Sequence, residues 1–255
     1  MKLILRILCA ALALLVCAAA AAEGDCLGDH ARIEVNGVSL YYEVAGEGKP
    51  VVLVSGNSGD HTNLSVMIRQ LADAGYCVYA LDSRGQGQNA PMNEYHYADM
   101  AEDVRQFIEA LELDKPAYYG WSDGGIIGLL LSIDHPDLLS LLAVSGANID
   151  PSGADPENAI VRRVAQMVAK NHDPLLELLF SEPQIDPASL SGIAIPVLVT
   201  AGSDDLILRE HTQLIADSLP NSELAIVDGA DHSSYIYESE IMGELLLDFL
   251  NRNGY

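Results

Sequence analysis

Ser122 stands in the part of this chain that most clearly favours covalent chemistry. Residues 120–124 read Gly-Trp-Ser-Asp-Gly, which has the form G-x-S-x-G. A short apolar stretch at 117–120 precedes the serine, and a helical pattern follows it. In a sharp turn between a strand and a helix, a serine in this motif projects its hydroxyl from the sheet edge, and the glycines let the two backbones pass closely. We therefore predict that Ser122 is a nucleophile; the alternative is a glycine-rich turn with an idle serine.

A serine hydroxyl reacts slowly at neutral pH unless a base accepts its proton and a third group orients that base. Two further predicted strands, 195–201 and 223–227, are each followed by groups suited to these roles. Asp204 and Asp205 follow the first strand, and His232 follows the second. The order serine, aspartate, histidine is one of the known orders of catalytic triads along a chain. We predict His232 as the base, while spacing alone leaves both aspartates open as the acid.

The elements that must position these side chains alternate between strands and helices. Asn36-Gly37 favours the positive φ angles of a type I′ turn, and therefore an antiparallel hairpin between 32–35 and 39–44. The remaining predicted strands are 51–55, 76–81, 117–120, 139–145, 195–201 and 223–227, and the predicted helices are 61–74, 95–112, 123–134, 157–171, 174–180, 207–218 and 237–251. Such alternation predicts an α/β fold: a mostly parallel eight-stranded sheet with helices on both faces.

Residues 147–192 interrupt this alternation. Two helical patterns and five prolines occupy the stretch, and no part of it has the pattern of a strand. Ligands of open α/β sheets bind beyond the carboxyl ends of the strands, so an insertion that leaves this edge would lie over the site. We predict a short helical cap; a connector with no part in binding is the alternative.

The composition limits both the number of domains and the class of partner. The 255 residues are 49% hydrophobic and 20% charged, which suits one folded domain and excludes global disorder. With 13 basic against 37 acidic residues, the formal net charge is −24. A surface this acidic repels phosphate backbones and anionic lipid headgroups. We therefore expect a small-molecule substrate, no nucleic acid, and no stable membrane association of the mature protein.

The first 22 residues differ from this average. Lys2 and Arg6 give a positive start, an apolar run follows, and the alanines at 20–22 form an A-x-A cleavage pattern. These features predict a signal peptide at 1–22, a single mature domain at 23–255, and a secreted or extracytoplasmic location. A retained membrane anchor is the alternative.

The sequence contains few motifs that would indicate a metal site, a cofactor site or a disulfide. The sequence has no C-x-x-C or H-E-x-x-H pattern, so we predict no metal site. Residues 85–90 match the dinucleotide fingerprint G-x-G-x-x-A, but Pro91 follows and no helix pattern begins there to receive a phosphate. We predict no cofactor. Cys26 and Cys77 remain in the predicted mature chain, and export would permit a disulfide between them, although the pairing stays open.

Taken in order, these motifs resemble the α/β-hydrolase superfamily over residues 31–251. The motifs that carry the resemblance are the initial hairpin, the strand 51–55 with its glycine-containing loop, Leu-Asp-Ser-Arg-Gly-Gln-Gly at 81–87, the Ser122 turn, Gly202-x-x-Asp205 and Asp231-His232. The Gly-Trp-Ser-Asp-Gly-Gly form of the turn is similar to the branch that contains valacyclovir hydrolase. The resemblance implies the α/β-hydrolase fold and a serine hydrolase that uses no cofactor.

The resemblance also implies roles for particular residues. In the superfamily the acid usually stands three residues after the glycine of its motif, which selects Asp205 over Asp204. The backbone N–H groups of Asn57 and Asp123 would form the oxyanion hole, which must face developing negative charge. Many relatives have His-Gly where this chain has Ser55-Gly56, so the conformation of the Asn57 loop is open.

For the substrate, we expect a small ester or amide that is cleaved through an acyl-enzyme on Ser122. The resemblance suggests that the Asp123 carboxylate can face an amine on the acyl side; the alternative is that it caps the following helix. His61 follows the oxyanion loop and is a second candidate for substrate binding. A hypothesis from another class is a ligand-binding or sensing protein on the same scaffold with slow or no turnover, since a fold does not specify a function.

Overall fold

The computed structural model describes residues 28–255, so the predicted signal peptide and Cys26 lie outside the described residues. The strands are β1 (Asp29–Val35), β2 (Val38–Ala45), β3 (Lys49–Val54), β4 (Tyr76–Leu81), β5 (Ala117–Trp121), β6 (Leu141–Ser145), β7 (Val197–Gly202) and β8 (Ser222–Val227). The helices are α1 (Ser65–Asp73), α2 (Tyr97–Ala110), α3 (Asp123–Asp134), α4 (Ala159–Asn171), α5 (Pro174–Ser181), α6 (Arg209–Ser218) and α7 (Ile241–Arg252).

All eight of these strands belong to one sheet, in the order β1-β2-β4-β3-β5-β6-β7-β8. The β1–β2 and β2–β4 pairs are antiparallel, and the other neighbours are parallel. At the hairpin turn Asn36 and Gly37 have φ angles of 45° and 77°, as a type I′ turn requires. The predicted mostly parallel, eight-stranded sheet is confirmed.

The central strand β3 shows how the sheet is covered on both faces. Val51 and Leu53 belong to a hydrophobic core that also contains apolar residues of α1 and α7. Val52 and Val54 belong to a second core, which contains residues of α2, α3 and α6. All four side chains are at most 1% exposed. Full burial of a large aliphatic side chain contributes about 1.5–3 kcal/mol, so this two-sided burial is a major stabilising term and explains the continuous apolar runs of the parallel strands.

Two of the element boundaries that differ from the prediction are explained by a particular residue. The strand predicted to start at 195 begins at Val197, because Pro196 has no N–H to donate to the ladder. The helix predicted to start at 237 begins at Ile241, since Glu238 has a φ of 51°, which an α-helix cannot contain.

Helices α4 and α5 lie in the segment 147–192, and the chain forms no regular strand between β6 and β7. Leu178 of α5 is buried, whereas α4 has no buried residue. Within the described part of the chain, no helix combines the length and the apolarity that a membrane crossing requires.

Candidate active site

Ser122 lies in the tight turn between β5 and α3. Its backbone has φ 54° and ψ −114°, a region that costs a residue other than glycine about 1–3 kcal/mol. Cβ atoms would not fit beside it: one at Gly120 would lie 2.0 Å from the Gly124 carbonyl oxygen, and one at Gly124 would lie 2.2 Å from that of Val54. The Ser122 N–H donates to the Ser145 carbonyl at 2.7 Å. The neighbouring strands therefore hold the strained serine in the geometry of a nucleophile elbow.

His232 and Asp205 form a close pair beyond the ends of β8 and β7. Nδ1 of His232 lies 2.6 Å from Oδ1 of Asp205, whose side chain is 1% exposed. The N–H groups of Ile207 and Gly202 donate to the same carboxylate at 3.0 and 3.3 Å and so fix its orientation. This acceptor favours the tautomer with its proton on Nδ1, which leaves Nε2 to accept another. Asp204 is exposed, and the structure pairs the histidine with Asp205 instead.

Two contacts restrict the position of the His232 ring. Gly146 has a φ of 57°, and a Cβ there would lie 2.7 Å from Cε1 and 2.8 Å from Nδ1 of the imidazole. The indole Nε1 of Trp121 donates to the His232 carbonyl at 3.0 Å. Because Trp121 immediately precedes Ser122, this bond ties the histidine loop to the elbow.

The loop after β3 passes beside Ser122 at Gly56, the residue before Asn57. A Cβ at Gly56 would lie 3.0 Å from the Ser122 Cβ and 3.7 Å from its Oγ. The Gly56 carbonyl accepts from the Gly59 N–H at 3.0 Å, and in a trans peptide the N–H of the next residue points the opposite way. Within residues 28–255, neither the Asn57 N–H nor the Asp123 N–H has a hydrogen-bond partner. The Asp123 N–H directly follows the serine and the Asn57 N–H belongs to the loop that passes it, so both unbonded donors are candidates for an oxyanion hole.

The Asp123 carboxylate is buried next to the elbow. Oδ1 accepts from the Tyr97 hydroxyl at 2.8 Å, and Oδ2 accepts from Nδ2 of Asn57 at 2.9 Å. Burial raises the pKa of Asp123 to about 6, although both hydrogen bonds and the nearby His232 act in the opposite direction. No Lys or Arg in the described residues forms an ion pair with it. The carboxylate therefore binds side chains rather than capping α3, and it is a buried acid without a cation of its own.

His61 lies in a separate buried cluster of acidic residues. Nδ1 lies 2.8 Å from Oδ1 of Asp82, and Nε2 lies 3.0 Å from Oε1 of Glu43. Burial alone would lower the pKa of His61, but the hydrogen bond and charge of Asp82 and the charges of Glu43 and Asp60 outweigh it and raise that pKa. Both ring nitrogens are engaged, so the structure leaves none to contact a substrate.

Helix α5 contacts the site near both of its ends. The Leu175 carbonyl accepts from Nδ2 of Asn57 at 3.1 Å, and the Glu182 carboxylate accepts from the Tyr97 N–H at 3.0 Å. Tyr97 also binds Asp123, so a closed ring of hydrogen bonds joins α5, the oxyanion loop and the elbow. No sequence pattern predicts the role of Tyr97, because its partner Asp123 lies 26 residues away and no motif marks the pair.

Comparison with known proteins shows which folds and sequences this chain is similar to. The sequence profile described as "alpha/beta hydrolase fold" matches residues 49–177. Serine hydrolase BPHL of Homo sapiens is 27% identical over 252 residues, which cover 86% of each chain. Among solved structures, a bromoperoxidase from Bacillus anthracis has a TM-score of 0.74 at 24% identity and covers 88% of this chain and 100% of its own. A thermophilic esterase from Thermogutta terrifontis has a TM-score of 0.71 at 22% identity, with 89% and 99% covered. These two structures share the fold.

Proposed function

The chain belongs to the α/β-hydrolase family, and we propose that it acts as a serine hydrolase on small esters or amides. The observation that carries the proposal is the convergence of three groups at one sheet edge. Ser122 occupies a strained elbow, and His232 is paired with Asp205 at 2.6 Å beyond neighbouring strands. A buried carboxylate that orients an imidazole near a strained serine matches the requirement for activating a serine hydroxyl.

The reaction follows from these positions. Ser122 Oγ attacks the substrate carbonyl carbon while Nε2 of His232 accepts the hydroxyl proton, and the carbonyl electron pair moves onto oxygen. The N–H groups of Asn57 and Asp123 bind this oxyanion; removing one such donor typically lowers kcat about 10²–10³-fold. The tetrahedral intermediate collapses as His232 gives the proton to the leaving group, which leaves an acyl-enzyme. Water, deprotonated by His232, then attacks the acyl carbon, and the bond from that carbon to Ser122 Oγ breaks as His232 returns the proton to Oγ, which releases the acid and restores Ser122.

The buried Asp123 supports a preference for substrates with an amine on the acyl side. Buried charges in proteins are normally paired, yet this carboxylate has no cationic partner in the described residues. A carboxylate offers about four lone-pair positions, so the hydrogen bonds from Tyr97 and Asn57 leave capacity for an ammonium group. A substrate ammonium would supply the missing charge through a charge-assisted hydrogen bond. α-Amino acyl esters are therefore the substrate class that we propose.

The segment 147–192 would act as a cap over this site. Leu175 of its helix α5 contacts Asn57 of the oxyanion loop, and Glu182, which directly follows α5, contacts Tyr97 beside Asp123. A short helical cap suits small soluble substrates better than long lipid chains. The positively charged, apolar and alanine-rich stretches of residues 1–22 further suggest that the enzyme acts outside the cytoplasm after its signal peptide is removed.

Hydrolysis of short-chain p-nitrophenyl esters by the purified mature protein tests this function. The control is Ser122→Ala, which removes the nucleophile and keeps the fold. We expect turnover by the wild type that the variant loses. If no ester is hydrolysed faster than by Ser122→Ala, the enzyme hypothesis fails, and the ligand-binding alternative becomes the better description.

A further inference from the structure

The segment that follows β4 has no part in the mechanism above, yet it contacts the oxyanion loop at two points. Oε1 of Gln86 accepts from the Ser58 N–H at 2.7 Å, and Oδ1 of Asp82 accepts from the His61 N–H at 2.9 Å. Gln86 is 5% exposed and Asp82 is 0% exposed. Both acceptors are therefore sheltered from water and hold the loop from one side.

The hydrogen bond from the Ser58 N–H to Gln86 restrains the neighbouring residue Asn57, whose N–H is the proposed oxyanion donor. Ser58 directly follows Asn57 and has a φ of 59°, in the left-handed region that costs a residue other than glycine roughly 1–2 kcal/mol. Of the two peptide groups that flank Asn57, the first is held by the hydrogen bond from Gly59 to Gly56. The second carries the Ser58 N–H, and the described residues offer it Gln86 as its acceptor. The side chain of Asn57 is held separately, by Asp123 and the Leu175 carbonyl, but these bonds leave the Ser58 amide itself to Gln86.

Gln86 is itself held rigidly. Its N–H donates to the Ser83 carbonyl at 3.0 Å, and its carbonyl accepts from the Asn89 N–H at 2.9 Å. The glycines on either side allow close packing: a Cβ at Gly85 would lie 2.4 Å from the Tyr95 ring, and one at Gly87 would lie 2.2 Å from Oδ2 of Asp82. The G-x-G pattern of this segment thus serves a compact turn that aims Gln86 at the oxyanion loop.

We propose that Gln86 is a positioning residue of the oxyanion hole, which it orients through Ser58 and Asn57 without contacting the substrate. The inference rests on the proposed serine hydrolase function. Oxyanion donors act on the charge that develops in the transition state and contribute little to binding of the ground-state ester. Loss of the Gln86 acceptor should therefore lower kcat and leave KM nearly unchanged.

The test compares Gln86→Met with Gln88→Met. Both variants exchange a glutamine for an unbranched apolar side chain in the same turn, but Gln88 is exposed and its side chain makes no hydrogen bond within the described residues. For a short-chain p-nitrophenyl ester we expect Gln86→Met to lower kcat about 10- to 100-fold, less than outright removal of a donor, with KM within about twofold. Inhibition by a trifluoromethyl ketone, whose adduct with serine carries an oxyanion, should weaken by the same factor. Gln88→Met should resemble the wild type in all three measurements.

The outcomes separate this inference from the function on which it rests. If the wild type does not exceed Ser122→Ala, the hydrolase function fails and the inference fails with it. If the wild type is active and Gln86→Met equals Gln88→Met, or if KM rises while kcat is kept, the role of Gln86 alone is overturned. Should Gln86→Met fail to fold, amide hydrogen exchange of the wild type decides: we expect a protected Ser58 amide, and rapid exchange there would overturn the proposal.

Discussion

The Tyr97 hydroxyl lies 2.8 Å from Oδ1 of Asp123, a buried carboxylate that directly follows Ser122 in the chain. Burial raises the pKa of Asp123 to about 6, so the group is protonated below that pH and ionised above it. Only the ionised form can attract an ammonium group. An amine on the substrate should therefore help above about pH 6 and lose its advantage as the pH falls through that value.

We expect the ratio of kcat/KM for an aminoacyl ester to that for its des-amino analogue to rise as the pH increases through about 6. It should fall again near pH 8, where an α-amino group loses its proton, since its ordinary pKa is about 7.7–8.0. A pH dependence that is common to both substrates cancels in this ratio. Asp123→Ala is the control and should give a ratio near one across the range. A wild-type enzyme with no preference for the amine at any pH would remove the proposed substrate class.

Asp205→Asn should lower kcat on the order of 10⁴-fold, because the amide cannot hold the His232 tautomer that leaves Nε2 free to accept a proton. Asp204→Asn is the matched control: its side chain is exposed and does not contact the histidine. The measurement is the steady-state kcat of both variants and the wild type with one ester substrate. Comparable losses in both variants, or the larger loss in Asp204→Asn, would contradict the pairing seen at 2.6 Å.

Gly146→Ala should lower kcat because it displaces the imidazole ring of His232. The new Cβ would lie 2.7 Å from Cε1 of His232, so the ring must move. A displacement of about 1 Å in a catalytic group can cost about 10²-fold in rate. Gly229→Ala provides the control, since Gly229 also has a positive φ, 71°, but a Cβ there would meet no atom within 4 Å. Backbone strain is thus similar in the two variants, and a fall in kcat confined to Gly146→Ala is the expected result of measuring both.

Export and processing make a separate prediction about the N-terminus. Mass spectrometry of protein recovered from outside the cytoplasm should find a chain that begins at or near Glu23. The A-x-A pattern before this position is the reason for the expectation. An intact Met1 in a membrane fraction would favour the retained anchor.

The sequence was sufficient for the sheet and for candidates at its carboxyl edge, because each candidate follows an apolar run and parallel strands end at the same edge. The candidates Ser122, Asp205 and His232 could be predicted from the sequence, because both their motifs and their order along the chain mark them. The environment of Asp123 could not be predicted in this way. Its burial and its hydrogen bonds to Tyr97 and Asn57 depend on how α2 and the oxyanion loop pack around it.

For His61, the sequence suggested a role that the packing of the fold does not favour. Its place after the oxyanion loop suggested a substrate contact, but Glu43 of β2 and Asp82, which directly follows β4, engage both ring nitrogens. The role of Gly146 could not be predicted from local sequence either. Its proximity to His232 arises where the ends of strands that are distant in sequence meet.

The central claim is that Ser122 is an activated nucleophile, and covalent labelling with a fluorophosphonate tests it most directly. Such a probe forms a stable phosphonyl ester with a serine that has an available base and an oxyanion hole. Intact-mass analysis followed by peptide mapping should find one adduct per chain, on Ser122, and no adduct in Ser122→Ala. An unlabelled wild-type protein, or an adduct that persists in Ser122→Ala, would contradict the claim.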